Sequence, residues 1–119
     1  MVGHVCLSEC YTFFMTSYNK LVRDLIPEKL DRKGVPYEQR VASDEEYKRE
    51  LIKKLQEEVA EFVEAPSLES SIEELADVLE VVDALKTVPA FASVEAVQKK
   101  KRDEVGGFTK RLILKGEKG

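Results

Sequence analysis

The 119 residues include only two cysteines, Cys6 and Cys10, and one histidine, His4. Two cysteines build no disulfide framework. Together with His4 they lack the fourth ligand of a zinc-like site. With the sole histidine so close to the start, neither a Ser–His nor a Cys–His pair offers covalent catalysis. No uncharged run approaches the ~18 apolar residues that cross a bilayer. The opening residues, Met1 to Phe14, carry no basic side chain of the kind a secretory signal needs. These absences lead to the expectation of a soluble cytoplasmic protein. Its length suits one domain.

The most informative absence is local. From Leu55 to Leu85 there is no lysine or arginine, while ten carboxylates fall in the same stretch. The whole chain carries a formal charge of −4, yet residues 99–119 hold eight basic side chains against three acidic ones, so residues 1–98 carry −9. A nucleic-acid backbone would be repelled by the acidic stretch, whereas a divalent cation would be attracted. Charged residues make up 35% of the chain and apolar ones 43%, a mixture that favours long solvated helices around a real core.

Residues 1–14 are nearly uncharged and rich in cysteine and aromatics, and read as a lead-in, either an upstream extension or a poorly ordered segment; residues 15–119 read as a single helical domain. Asp24-Leu25-Ile26-Pro27 opens a short helix that Gly34 closes. Segments 35–42 and 109–115 read as short strands. Ser43 and Glu46 form a capping-box pair at the start of a helix to about Glu64. Pro66-Ser67 breaks that helix and Ser67 caps the next, which runs to about Thr87. Ser93 begins a third long helix that Gly106-Gly107 stops. The expected fold is all-α, a helical bundle around an antiparallel hairpin.

Helical spacing places Leu51, Leu55, Val59 and Phe62 on one expected buried stripe, and Leu75, Val78, Leu79, Val82 and Leu85 on another. At about 100° per residue, Glu58 and Glu61 lie about 60° apart along one border of the first stripe. Glu74 and Asp77 border the second in the same phase. Glu57, Glu80 and Asp83 point further out. Glu58 precedes Pro66 by eight residues and Glu74 follows it by eight, so each stands roughly 12 Å from the turn. Folded as a hairpin, the pairs face one another. One such pair alone is an ordinary solvated helix face, and Lys53–Glu57 and Lys54–Glu58 are ordinary i,i+4 partners. Two matched pairs in a cation-free stretch suit a hard divalent cation held by oxygen, Mg²⁺ or Mn²⁺.

The sequence Glu58-x-x-Glu61, twelve residues, then Glu74-x-x-Asp77 resembles the metal-binding motif of the MazG-like all-α nucleoside triphosphate pyrophosphohydrolases. Lys54-Leu55-Gln56-Glu57-Glu58 and Glu73-Glu74-Leu75-Ala76-Asp77-Val78-Leu79 match the motif's surroundings. Tyr18-Asn19-Lys20-Leu21-Val22-Arg23-Asp24-Leu25-Ile26-Pro27, together with Lys99-Lys100-Lys101 and Gly106-Gly107-Phe108, is similar to the phosphoribosyl-ATP pyrophosphohydrolase-like branch. The resemblance spans about Tyr18 to Leu114 and departs at Val105, where a basic residue is expected. It implies a bundle that forms a homodimer or homotetramer. It also implies Mg²⁺ held by Glu58, Glu61, Glu74 and Asp77, and cleavage of a nucleotide between its α- and β-phosphates.

The resulting expectation is a Mg²⁺-dependent nucleotide pyrophosphohydrolase that clears modified or surplus (deoxy)nucleoside triphosphates. Such chemistry needs charge neutralisation and a positioned water more than a protein nucleophile; Glu57 or Glu58 is the candidate base. Lys54 shares a helical sector with Glu58 and Glu61 and is a candidate phosphate contact. Lys101 and Arg111 are further candidates, although basic residues near a helix end also favour its dipole. Lys20 and Arg23 join them through the leading motif, and Phe108 reads as core. The alternatives are phosphoribosyl-ATP hydrolysis in histidine biosynthesis and a non-enzymatic acidic interaction module.

Overall fold

A computed structural model describes residues 19–117; the expected lead-in, 1–14, lies outside them. The described chain is built from helices. α1 spans Ile26–Lys33, α2 Asp44–Glu64, α3 Leu68–Lys86 and α4 Val94–Val105, with a 3₁₀ turn at Pro89–Phe91 between the last two. The all-α expectation holds.

The two strands do not form: segments 35–42 and 109–115 carry no strand, and there is none among the described residues. A single extended segment has no ladder partner in a helical chain, so its backbone gains nothing from β geometry. Residues 35–42 are instead held by side chains. The Tyr37 hydroxyl donates to Asp31 at 2.9 Å, and Arg40 donates to both carboxylate oxygens of Glu46 at 2.5 and 2.6 Å.

Local sequence sets the helix ends. Pro27 stands in the first turn of α1, and Gly34 closes that helix at φ 70°. The Gly34 N–H bonds to Asp31 O and the Val35 N–H to Leu30 O, a paired closure that requires the left-handed conformation glycine adopts without strain. Ser43 Oγ accepts the Glu46 N–H at 3.3 Å at the start of α2. Only this half of the expected capping box forms, because Arg40 takes the Glu46 carboxylate as a two-pronged ion pair. The reciprocal box appears at α3, where Ser67 Oγ accepts the Ser70 N–H at 3.1 Å and Ser70 Oγ accepts the Ser67 N–H at 3.2 Å.

The connection between α2 and α3 is three residues long, 65–67, so α3 returns along α2 as an antiparallel hairpin, the principal helix pair of the fold. Its seam differs from the expected one. Leu51 is buried and Leu55, Val78, Val82 and Leu85 are half-buried, but Val59, Phe62, Leu75 and Leu79 are exposed. The side chains that close the seam are Glu58, Ser70, Glu74 and Asp77. Each helix contacts its neighbour along the acidic border of its apolar stripe, which turns the remaining apolar residues outward. Glu57, Glu80 and Asp83 are exposed, as the periodicity requires.

The Ser67 cap fixes where α3 begins and hence the register of the hairpin. Ser67→Ala is expected to destabilise the fold by about 1 kcal/mol, read as a lower urea midpoint with an unchanged slope.

Candidate metal centre

Glu58 and Glu61 stand one turn apart on α2, and Glu74 faces them from α3. Each offers a carboxylate oxygen, and the three oxygens lie within 4.8 Å of one another. Glu74 is 0% exposed and Glu58 5%, while Glu61 is half-buried. Asp77 lies one turn along α3 from Glu74, also buried, with Oδ1 accepting a hydrogen bond from Arg23 Nη2 at 2.6 Å. Lys54 Nζ stands 4.0 Å from Glu58 Oε1 across one turn of α2. The remaining oxygen, Glu58 Oε2, is buried and accepts no hydrogen bond.

Like charges this close in a water-poor seam repel by roughly 4 kcal/mol per fully ionised pair at an effective dielectric of 20. Two responses relieve them: a proton or a cation. Burial, then the Glu61 side chain and its charge, then the charge of Asp77, push the Glu58 carboxyl up to about 8, with Lys54 opposing the shift. A cation satisfies the same cluster without protonation. Opposite ligands on Mg²⁺ stand about 4.2 Å apart, twice its bond length, so oxygens within 4.8 Å are close to the span one hard ion needs. The all-oxygen, anionic donor set and the unsatisfied Glu58 oxygen both fit a divalent cation.

The other expected site residues separate into two groups. Lys54 sits beside the cluster. Lys20 and Arg23 line a cavity of about 850 Å³ between segment 19–27, α1 and residues 37–50, whose wall also includes Tyr37, Arg40 and Tyr47. Lys101 lies exposed on α4, and Arg111 is exposed in the tail with φ 58°. On α4, Lys99 pairs with Asp103 at 2.9 Å and Lys100 with Glu104 at 3.9 Å, within their own helix. Glu57 is exposed beside the cluster rather than within it. Phe108, expected in the core, is 97% exposed, because the tail packs against nothing that would cover it.

The Arg23–Asp77 pair was not foreseen as a contact, since 54 residues separate its members. The sequence signalled only the need for a counter-charge. A run of ten acids with no cation of its own must find positive charge outside itself; Lys54 and Lys86 flank the run, whereas Arg23 lies 32 residues before it and nothing in the spacing singles it out. The cavity had no such signal, being walled largely by irregular backbone. Comparison of the chain with protein-family models, with curated proteins and with solved structures found no match.

The Glu58 shift has a thermodynamic sign. Between its ordinary value near 4.5 and about 8, the folded chain holds a proton that the unfolded chain has released. The contribution of Glu58 to stability is therefore fully present below about pH 4.5 and is lost as pH rises toward 8. In chelator-treated buffer, thermal midpoints of wild type should fall across this window, and Glu58→Gln should flatten the slope.

Proposed function

We propose that this protein is a divalent-metal-dependent nucleotide pyrophosphohydrolase. It would cleave a nucleoside triphosphate between the α- and β-phosphates to release a monophosphate and pyrophosphate, acting in the cytoplasm on modified or surplus (deoxy)nucleotides. The observation that carries this reading is the convergence of Glu58, Glu61 and Glu74 at the closed seam of a two-helix hairpin. Carboxylates that only keep a surface soluble have no reason to be buried, which sets the interaction-module reading behind the enzymatic one.

Glu58, Glu61 and Glu74 would hold Mg²⁺ or Mn²⁺, with Asp77 as the fourth ligand. Such an ion would supply neutralisation of phosphate oxygens and a bound water of lowered pKa. Around it, Lys54 would bring positive charge to the phosphates from beside Glu58, and Lys20 from the cavity wall. Glu57, solvated next to Glu58, would take the proton of the attacking water. Lys101 and Arg111 would contribute from α4 and the tail. No described helix is long and apolar enough to cross a membrane.

The measurement is calorimetric titration with Mn²⁺ and Mg²⁺, followed by a nucleotide panel that includes phosphoribosyl-ATP, with products identified by mass. Wild type is expected to bind metal stoichiometrically and release pyrophosphate. Glu58→Gln combined with Asp77→Asn should lose more than the roughly 10–100-fold that removing an outer hydrogen-bonding partner of a metal ligand costs. Metal binding without pyrophosphate from any nucleotide would end the enzymatic reading; release from phosphoribosyl-ATP alone would place the protein in histidine biosynthesis.

The same reading includes a homodimer or homotetramer. Leu68, Ile72, Leu75 and Leu79 recur at helical spacing along α3 and are all exposed, as are Ile52, Val59 and Phe62 on α2. Light scattering should give the mass of two or four chains, and Leu79→Glu should shift it toward one.

A further inference from the structure

Arg23 occupies irregular backbone just before α1, yet its guanidinium reaches α3. Nη2 donates to Asp77 Oδ1 at 2.6 Å, with the arginine side chain 48% exposed and that of Asp77 10%. The same arginine forms part of the wall of the 850 Å³ cavity. The Arg23–Asp77 pair therefore ties the segment before α1 to the acid seam on α3.

The position of Asp77 makes this contact informative. Asp77 stands one turn from Glu74 and about 60° round α3 from it, and its charge acts on Glu58, so it belongs electrostatically to the acid cluster. The three oxygens that converge within 4.8 Å nevertheless come from Glu58, Glu61 and Glu74, and Asp77 gives an oxygen to Arg23 instead. A guanidinium is a permanent cation that cannot relieve crowding by losing its proton. It would also repel a dication brought against the same carboxylate. Half exposed, it has room to leave.

We infer that Arg23 is a tethered counter-cation: it neutralises Asp77 when no metal is bound and gives that carboxylate up to an entering divalent cation. The inference rests on the metal-binding reading above and adds to it a competition between a side chain and the ion. The apparent affinity for metal is then the intrinsic affinity multiplied by the fraction of Asp77 that Arg23 does not hold.

The test is Mn²⁺ titration by calorimetry, with thermal melts of each variant in chelator and in saturating Mn²⁺. Arg23→Gln removes the competitor and should bind Mn²⁺ at least threefold more tightly than wild type. It should melt lower than wild type in chelator and recover most of that difference in Mn²⁺. Arg23→Lys keeps a cation without the planar fork; it should fall between the two, and it supplies the affinity comparison should Arg23→Gln not fold without metal. In an Asp77→Asn background, which lacks the carboxylate being competed for, adding Arg23→Gln should leave Mn²⁺ affinity unchanged. Equal or weaker binding by the Arg23 variants, with wild type still binding, would overturn the inference and make Arg23 a fixed support for Asp77. Failure of wild type and all Arg23 variants to bind Mn²⁺ would remove the metal reading itself and this inference with it.

Discussion

The structure depends on an electrostatic constraint: a helix hairpin whose seam is closed by carboxylates. Glu58, Glu74 and Asp77 are buried where an ordinary hairpin would place leucine or valine. Ionised groups removed from water destabilise a fold unless a proton, a hydrogen-bonded partner or an opposite charge compensates them. This chain uses all three. Glu58 is driven toward its protonated form, Arg23 neutralises Asp77, and Lys54 reaches across a helical turn toward Glu58. Each is a local answer to the same excess of negative charge, and a single hard cation would answer it collectively.

The same seam accounts for the exposed apolar surface. Two helices in contact share one line of closest approach. With much of that line taken by acids, Leu68, Ile72, Leu75 and Leu79 on α3 and Ile52, Val59 and Phe62 on α2 are left exposed. Leu68, Ile72, Leu75 and Leu79 form a continuous ridge along α3 rather than scattered single residues, which distinguishes them from the isolated exposed aliphatics of any protein surface. Burying the acids and exposing the ridge are one choice of rotation, seen from two sides.

Much of this was legible in the sequence, and for identifiable reasons. The ends of α1, α2 and α3 follow from Gly34, Ser43, Pro66 and Ser67, whose effects act over three or four residues. The phase of the four acids follows from periodicity alone, as does the exposure of Glu57, Glu80 and Asp83. Two kinds of information were missing. Periodicity gives angles within a helix but not the rotation at which two helices meet, so the stripe of Val59, Phe62, Leu75 and Leu79 was expected inside when the neighbouring border is. Strand formation depends on a partner elsewhere in the chain, which residues 35–42 and 109–115 do not declare. Arg23 belongs to this second kind: the resemblance of the leading motif implied a phosphate contact, while its observed partner is set by where the segment before α1 passes.

The three-residue connection between α2 and α3 carries a consequence for how this hairpin tolerates change. Most surface loops absorb insertions with little loss because closure entropy grows slowly with length. Here Ala65 ends one helix by bonding back to Phe62, and Ser67 begins the next with its own cap, so the connection has no slack residue. Lengthening it would loosen the relation between two rods whose opposing carboxylates must meet to within a few ångströms. Although it lies at a tip, where proteins usually accommodate epitopes and permuted ends most readily, this turn acts as a spacer of fixed length, and variation in chain length is better absorbed by the exposed stretch beyond Gly107.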